Sequence, residues 1–557
     1  MRADKVAHGV ERRIAGFNYF VNGKAIAKAL LNPCPFKSKT RLIPVQRGWF
    51  HAGVRTALEP MMNGLRGQAG IIIMSTEKLP TSCYNLGLCT KADRGTLTMM
   101  AASPSAVTHR PRRPPGPKGH FLLGNLAAVS RDWLGFYAHC AKEYGDVVQL
   151  RYLHVPICLL MHPRDIEYVL VTNPGNFTKS ADYRALARVL GNGLLTNEGK
   201  AWQRQRGLIQ PAFRRENILS YAPLMTRAAN RLLASWRSGE SRNVHEDMMA
   251  VTLEIVAQCL FGAEVTGVAE RVGKSMQVVT DRFMADASQA LLLPFDLPDF
   301  LAPARRRAIS DLNQIIKGIV CERRASNQPR GDLLDTLLQV RDSEGQPMGD
   351  AQLRDEVMTL FLAGHETTAI ALSWTCFLLA QNPCIEAKLV EELRAVLGDR
   401  EPTAEDLPLL RYTEMVLKES MRLYPAVWGI GRRAVADCEI GGYRVTAGTN
   451  IFIFQSLTQR DPRFFSNPDA FDPERWREDP IRSGKIPRFA YFPFGGGPRV
   501  CVGAAFAMLE ATLLLAMIQQ KFHLDLVPGH PVQPHASVTL RPKHGIRVTV
   551  HRRAPSA

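Results

Sequence analysis

Phe494-Gly-Gly-Gly-Pro-Arg-Val-Cys-Val-Gly503 is the stretch whose reading decides the rest. Three consecutive glycines let the backbone fold tightly and approach a neighbour closely, and Pro498 fixes one dihedral beside them. A loop of this make-up holds one atom in place. That atom is the sulfur of Cys501, because residues 501 to 522 run without proline and carry apolar residues at helical spacing: Phe506, Leu509, Leu513 and Met517. The spacing predicts a helix starting at Cys501, where unpaired amides and the positive end of the dipole favour a thiolate. Arg499 adds charge of the same sign. A thiolate so held is a nucleophile or a metal ligand. A nucleophile would need one of the 14 histidines as base, and a buried structural cysteine behind a glycine-rich turn is the third reading.

The ordered set Phe494-x-x-Gly497-x-Arg499-x-Cys501-x-Gly503 resembles the haem-binding signature of the cytochrome P450 family, with five fixed positions in ten residues. The resemblance implies that Cys501 is the axial thiolate ligand of the iron in haem b and that Phe494 packs beside the sulfur. It also implies that Gly497 and Gly503 give room and that Arg499 pairs with a haem propionate. Thiolate ligation in this family favours O–O cleavage. The implied fold is mainly α with small β-sheets, a triangular prism built round a long central helix over 350–382.

The chain has 557 residues, 46% of them apolar, ample for a globular enzyme, and a net charge of +18. Residues 1–113 hold 18 Lys and Arg against 5 Asp and Glu, so +13 of the charge lies there and the other 444 residues carry +5. The body therefore lacks the basic excess of a nucleic-acid-binding protein. Eleven cysteines at irregular spacing make no disulfide framework, and Cys83-x5-Cys89 lacks the close pairing of a zinc site. No run reaches the ~20 apolar residues of a membrane span, and no signal-peptide core is present. A cytoplasmic monomer is expected. Residues 1–108 read as a basic leader, with three explanations: a start assigned too early, with the real one at Met99 or Met100; a disordered tail; or an organelle transit peptide. Residues 109–119, rich in proline, mark a stiff boundary. They resemble the family's lead-in, followed by Leu123-Gly-Asn125, and residues 120–557 form the catalytic domain. The chain ends about 55 residues after Cys501, which leaves no space for a fused reductase.

Helical patterns cover roughly 131–144, 163–173, 199–209, 220–238, 244–261, 305–325, 331–341, 350–382, 385–397, 407–423 and 501–522. Strand-like alternation is confined to 147–152, 156–161, 443–454 and 538–550.

Several motifs extend the resemblance. Trp202 and Arg206 are four apart on one helical face and are similar to the family's Trp-x-x-x-Arg pair, which implies contact with a propionate. Lys200, Arg204, Arg214 and Arg215 crowd the same region and suit an acidic electron donor. Asp350–Gln381, with Asp350 as its cap and Pro383 as its stop, would run roughly 48 Å. Polar residues interrupt its middle at Ala363-Gly-His-Glu-Thr-Thr368. Gly364 costs ~1 kcal/mol there relative to alanine, a local conflict of the kind that marks a site. Thr367 can bond back to the Ala363 carbonyl, loosening the ladder. The run resembles the family's oxygen-activation motif, which implies that Glu366 and Thr367 guide protons to dioxygen; Gly364 reads as spacing and His365 as surface. Glu419-Ser-Met-Arg422, with Arg475 further on, is similar to the family's structural Glu and Arg triad. Arg432, with Arg433 as rival, resembles another propionate-binding arginine. Pocket walls carried over by position are Leu362, Ala363, Val427 and Val538, all apolar. The stretches 181–195 and 276–301 complete the entrance.

The resemblance implies a haem-thiolate monooxygenase that takes O2 and two electrons from a separate ferredoxin- or flavodoxin-type donor with its NAD(P)H-dependent reductase. It would hydroxylate or epoxidise an apolar molecule, a fatty acid or terpenoid. A peroxide-driven peroxygenase and a non-catalytic haem sensor or carrier are the rivals; the Glu366-Thr367 pair speaks against the first, and the second needs no apolar substrate pocket.

Overall fold

The computed structural model describes residues 112–554 apart from 264–266, 294, 296–301, 327 and 342–344. The readings made for residues 1–108 lie outside the described residues.

The organising element is the helix Asp350–Gln381, 32 residues long. It is apolar round most of its circumference, as a helix enclosed by others must be. Neighbouring helices Val244–Phe261, Arg411–Leu423 and Ala504–Lys521 pack on it to form the main core. Gly364 permits the closest approach, since a Cβ there would lie 2.9 Å from Val256. The helix begins at its expected cap, Asp350. Gly349 occupies the cap position, and Asp350 instead pairs with Arg324 at 2.6 Å. At the other end Asn382 donates its side-chain amide to the Leu378 carbonyl at 2.7 Å, and Pro383 opens the next helix, Pro383–Leu397, after a bend of 112°. Among the described residues no single helix is long and apolar enough to cross a membrane.

A five-stranded sheet packs beside the helices in the order Val147–Tyr152, Val155–Leu160, Asn450–Ile453, Ile430–Ala434, Phe177–Lys179. Pairing is antiparallel except between Val155–Leu160 and Asn450–Ile453. Lys179 lies opposite Arg432 in the last pair. Arg113–Gly119 runs without regular structure, and Pro115 accepts the Gln149 N–H at 2.7 Å.

Two helices at the entrance were missed by periodicity. Tyr183–Leu190 is only eight residues long, and Ala269–Leu292 mixes charged residues into its apolar stripe. The helix expected from Cys501 starts at Ala504, with Gly503 as its cap, so the cysteine precedes the helix by a short turn.

Glu419, Arg422 and Arg475 come together as the resemblance implied, and more closely than an exposed pair would. Glu419 and Arg422 are both fully buried. Arg422 donates to both Glu419 oxygens, Nη2 to Oε1 at 2.8 Å and Nε to Oε2 at 2.9 Å. Arg475 Nε, Trp476 Nε1 and the Asp472 N–H also donate to the same carboxylate. The remaining Arg422 donors reach the carbonyls of Gln459, Pro468 and Ala470. One carboxylate thus ties helix Arg411–Leu423 to the irregular 459–476 segment ahead of the Cys501 loop. Removing one partner leaves the other charge buried alone, at a cost of ~3–5 kcal/mol. Arg422→Leu is therefore expected to lower the unfolding midpoint and yield protein with little bound cofactor, read by thermal melts and haem content.

Candidate active site

The glycine-rich loop closes on itself before the last long helix. The Cys501 N–H donates to the Phe494 carbonyl at 3.0 Å. Gly497 has φ +68°, and a Cβ there would stand 1.8 Å from the Leu170 carbonyl oxygen, so only glycine fits. Gly503 differs: its φ is −89° and a Cβ would meet only Phe213 at 3.7 Å, so the protein itself does not demand glycine at 503. The Cys501 side chain emerges into a cavity of about 400 Å³, inside the ~300–1,000 Å³ range of small-molecule sites. Burial pushes its thiol up, while the Gly503 N–H and Arg206 pull it down. The amide that favours the thiolate is thus Gly503's, ahead of the helix.

The same cavity is lined by Phe494, Trp202, Arg206, Arg432 and Arg499, and elsewhere by Leu362, Ala363, Glu366, Thr367, Val427 and Val538. Arg206 Nη1 donates to the Val500 carbonyl at 2.8 Å, and the Arg499 guanidinium stacks 4.5 Å over the Trp202 ring. Arg499 also pairs with Glu198. Strand alternation separates the two rival arginines: Arg432 is buried and lines the cavity, while Arg433 is exposed on the opposite face. Lys179, which no motif pointed to, joins them through its sheet pairing with Arg432.

Against these cations the described residues set one ion-paired carboxylate, Glu198, which pairs with Arg499 and lies 3.9 Å from Lys179. Burial, with Arg499 and Arg432 adding repulsion against the pull of Glu198, holds Lys179 down at about 7, and burial lowers Arg499 too. A ligand bringing carboxylates would supply the missing counter-charge.

On the long helix, Thr367 Oγ1 donates to the Ala363 carbonyl at 2.9 Å as its spacing allowed. The helix nonetheless continues unbroken through 363–368. Glu366 is buried and accepts the Thr539 hydroxyl at 2.8 Å; burial raises its carboxyl, against the pull of that bond and of Arg541. His365, read as surface, is buried instead. It points into the helix packing, where its Nδ1 must carry the proton it gives to the Phe361 carbonyl at 3.0 Å.

Residues missed by the motifs include Tyr183, Leu186, Met276, Val279, Thr280 and Phe283 on the two entrance helices, and Thr539. The 276–279–280–283 spacing was a usable signal, hidden because Asp281 and Arg282 interrupt it.

Residues 114–550 match the family model described as Cytochrome P450. The chain belongs to the cytochrome P450 family. Cyclooctatin synthase of Streptomyces melanosporofaciens is 36% identical over 448 residues, 79% of this chain and 96% of that one. Pentalenene oxygenase of Streptomyces avermitilis is 32% identical over 438 residues, 78% and 96%. Cytochrome P450 4V2 of Homo sapiens is 31% identical over 466 residues, 78% and 88%. The chain is thus a cytochrome P450 monooxygenase, and the cofactor of the family is haem b. The cavity fits that cofactor: it offers a thiol for the iron, under-compensated cations for the propionates, and apolar walls.

Two outcomes follow from this geometry. Arg432→Leu is expected to weaken haem retention several-fold while Arg433→Leu does not, read from the haem absorbance remaining after gel filtration. Burial holds His365 near 4, below the ~6.5 of an unfolded histidine. Between these values the unfolded chain binds a proton that the folded one refuses, so stability falls as pH drops through 6.5. The loss is about 2 kcal/mol at pH 5, and His365→Gln should flatten this part of the pH dependence of the urea midpoint.

Proposed function

We propose that this P450 hydroxylates or epoxidises a terpenoid or similarly apolar molecule, with electrons from a separate acidic protein donor. The observation that carries the reading is the joint lining of one apolar cavity by Cys501 and by the Glu366-Thr367 pair. Haem b, when bound, supplies the redox chemistry that activates O2.

In this reading the chain's own residues divide the work. Cys501 offers its sulfur to the iron, with the Gly503 N–H and Arg206 favouring the thiolate. Arg432, Arg499, Trp202 and Arg206 hold the propionates, and Phe494, Gly497 and Gly503 shape the loop round the sulfur. Thr367 keeps its hydroxyl on the cavity wall by donating to Ala363, and burial raises the carboxyl of Glu366 and so favours its proton-bearing form. Making water from the oxygen atom that is not inserted takes two protons, and this pair delivers them. A peroxide-driven enzyme would have no use for it. Leu362, Ala363, Val427 and Val538 hold the substrate by burial and exclude water. Lys200, Arg204, Arg214 and Arg215 are exposed and form the docking face for the donor. The terpenoid class is supported by the two Streptomyces relatives, whose names are those of terpenoid oxidations.

The test is reconstitution with ferredoxin, its reductase and NAD(P)H, after a spectral screen of terpenoids and fatty acids. Turnover of a terpenoid is expected, and binding without product under reducing conditions would leave only a carrier. Thr367→Ala is expected to bind haem and substrate normally but to divert most reducing equivalents to peroxide, read as product and peroxide formed per NAD(P)H.

A further inference from the structure

The turn Ser537-Val538-Thr539-Leu540 is held from several directions. Trp374 Nε1 on the long helix donates to the Leu540 carbonyl at 2.8 Å, and Trp428 Nε1 donates to the Ser537 carbonyl at 2.9 Å. The Leu540 N–H donates to the Ala426 carbonyl at 2.9 Å, and Ser537 Oγ donates to the Thr280 carbonyl at 2.5 Å. Both flanks of Thr539 are therefore fixed, and its position is set before any ligand arrives. Its side chain is 3% exposed, lines the cavity, and donates from Oγ1 to Glu366 Oε1 at 2.8 Å. Among the described residues this is the one hydrogen bond recorded for the Glu366 side chain.

We propose that Thr539 is a positioning residue for oxygen activation: its hydroxyl orients the Glu366 carboxyl group and stabilises the carboxylate left when Glu366 gives up a proton. A hydrogen bond to an ionised acceptor is stronger than one to a neutral one, and more so away from water. The Thr539 bond therefore tightens as the proton leaves, and loosens again when solvent returns it. A buried carboxylate without that donor gives up its proton less readily, in line with the burial that already raises Glu366. The inference rests on the reading of Glu366 as proton donor.

The test compares Thr539→Val, which keeps the shape and loses the hydroxyl, with Thr539→Ser and Glu366→Gln. Three quantities are read: product and peroxide per NAD(P)H, substrate affinity by spectral titration, and the infrared band of the Glu366 carboxyl group, assigned by its loss in Glu366→Gln. Thr539→Val is expected to lower product per NAD(P)H about tenfold, the fold-change of one lost charge-assisted hydrogen bond. It should shift the infrared band to higher frequency and leave substrate affinity in place, and Thr539→Ser should restore coupling and band together. An unmoved infrared band in Thr539→Val, or a change confined to substrate affinity, would overturn the proposal and make Thr539 a simple wall residue. Full coupling in Glu366→Gln would instead remove Glu366 from proton delivery, and this proposal with it.

Discussion

A helix enclosed by protein along most of its length must satisfy every polar group it carries within the molecule, because an unpaired buried polar atom costs several kcal/mol. Asp350–Gln381 meets that demand partly with itself and partly through Arg354, Asp355, Glu356 and Trp374, which bond to other parts of the chain. The hydroxyls of Thr367, Ser373 and Thr375 return to carbonyls four residues earlier, as does the His365 imidazole. Glu366 also reaches off the helix, its carboxyl group accepting from Thr539. Together with Trp374, whose indole donates to the Leu540 carbonyl, it ties the centre of the sequence to its end.

The other wall is governed by backbone and not by side chains. Gly497 must pass against the Leu170 carbonyl, and the Cys501 amide folds back onto Phe494. The sulfur is thereby aimed into the cavity by a loop with little freedom to aim it elsewhere. The Glu419 network ties down the 459–476 segment that precedes this loop in the chain, through a carboxylate that never touches the cavity.

The long helix and the cysteine loop were legible because each is a local pattern, a period or a glycine run, whereas the triad and the four wall residues were implied by the family resemblance. The helices overlapping the stretches 181–195 and 276–301 were not legible. Tyr183–Leu190 is too short to show a period, and the apolar stripe of Ala269–Leu292 is broken by Asp281 and Arg282, which bond to Arg541 and Asp286 respectively. His365 misled because a histidine beside a glutamate and two threonines reads as exposed, whereas its ring is paid for by a carbonyl of its own helix. The choice between Arg432 and Arg433 needed the strand to be located, since neighbours on a strand face opposite ways. Lys179 and Thr539 needed a partner from a far part of the sequence, Arg432 and Glu366 respectively, which no local pattern contains.

The pairing of Phe177–Lys179 with Ile430–Ala434 has a consequence for how this sequence can change over time. Inserting or deleting a single residue within either strand would turn Arg432 outward and Arg433 inward, or move Lys179 off its neighbour, and so invert which cation the cavity sees. Point substitutions there are graded in effect, but a shift in length is all or nothing. Length variation among descendants of this chain should therefore gather in the turns between strands and spare the strands themselves.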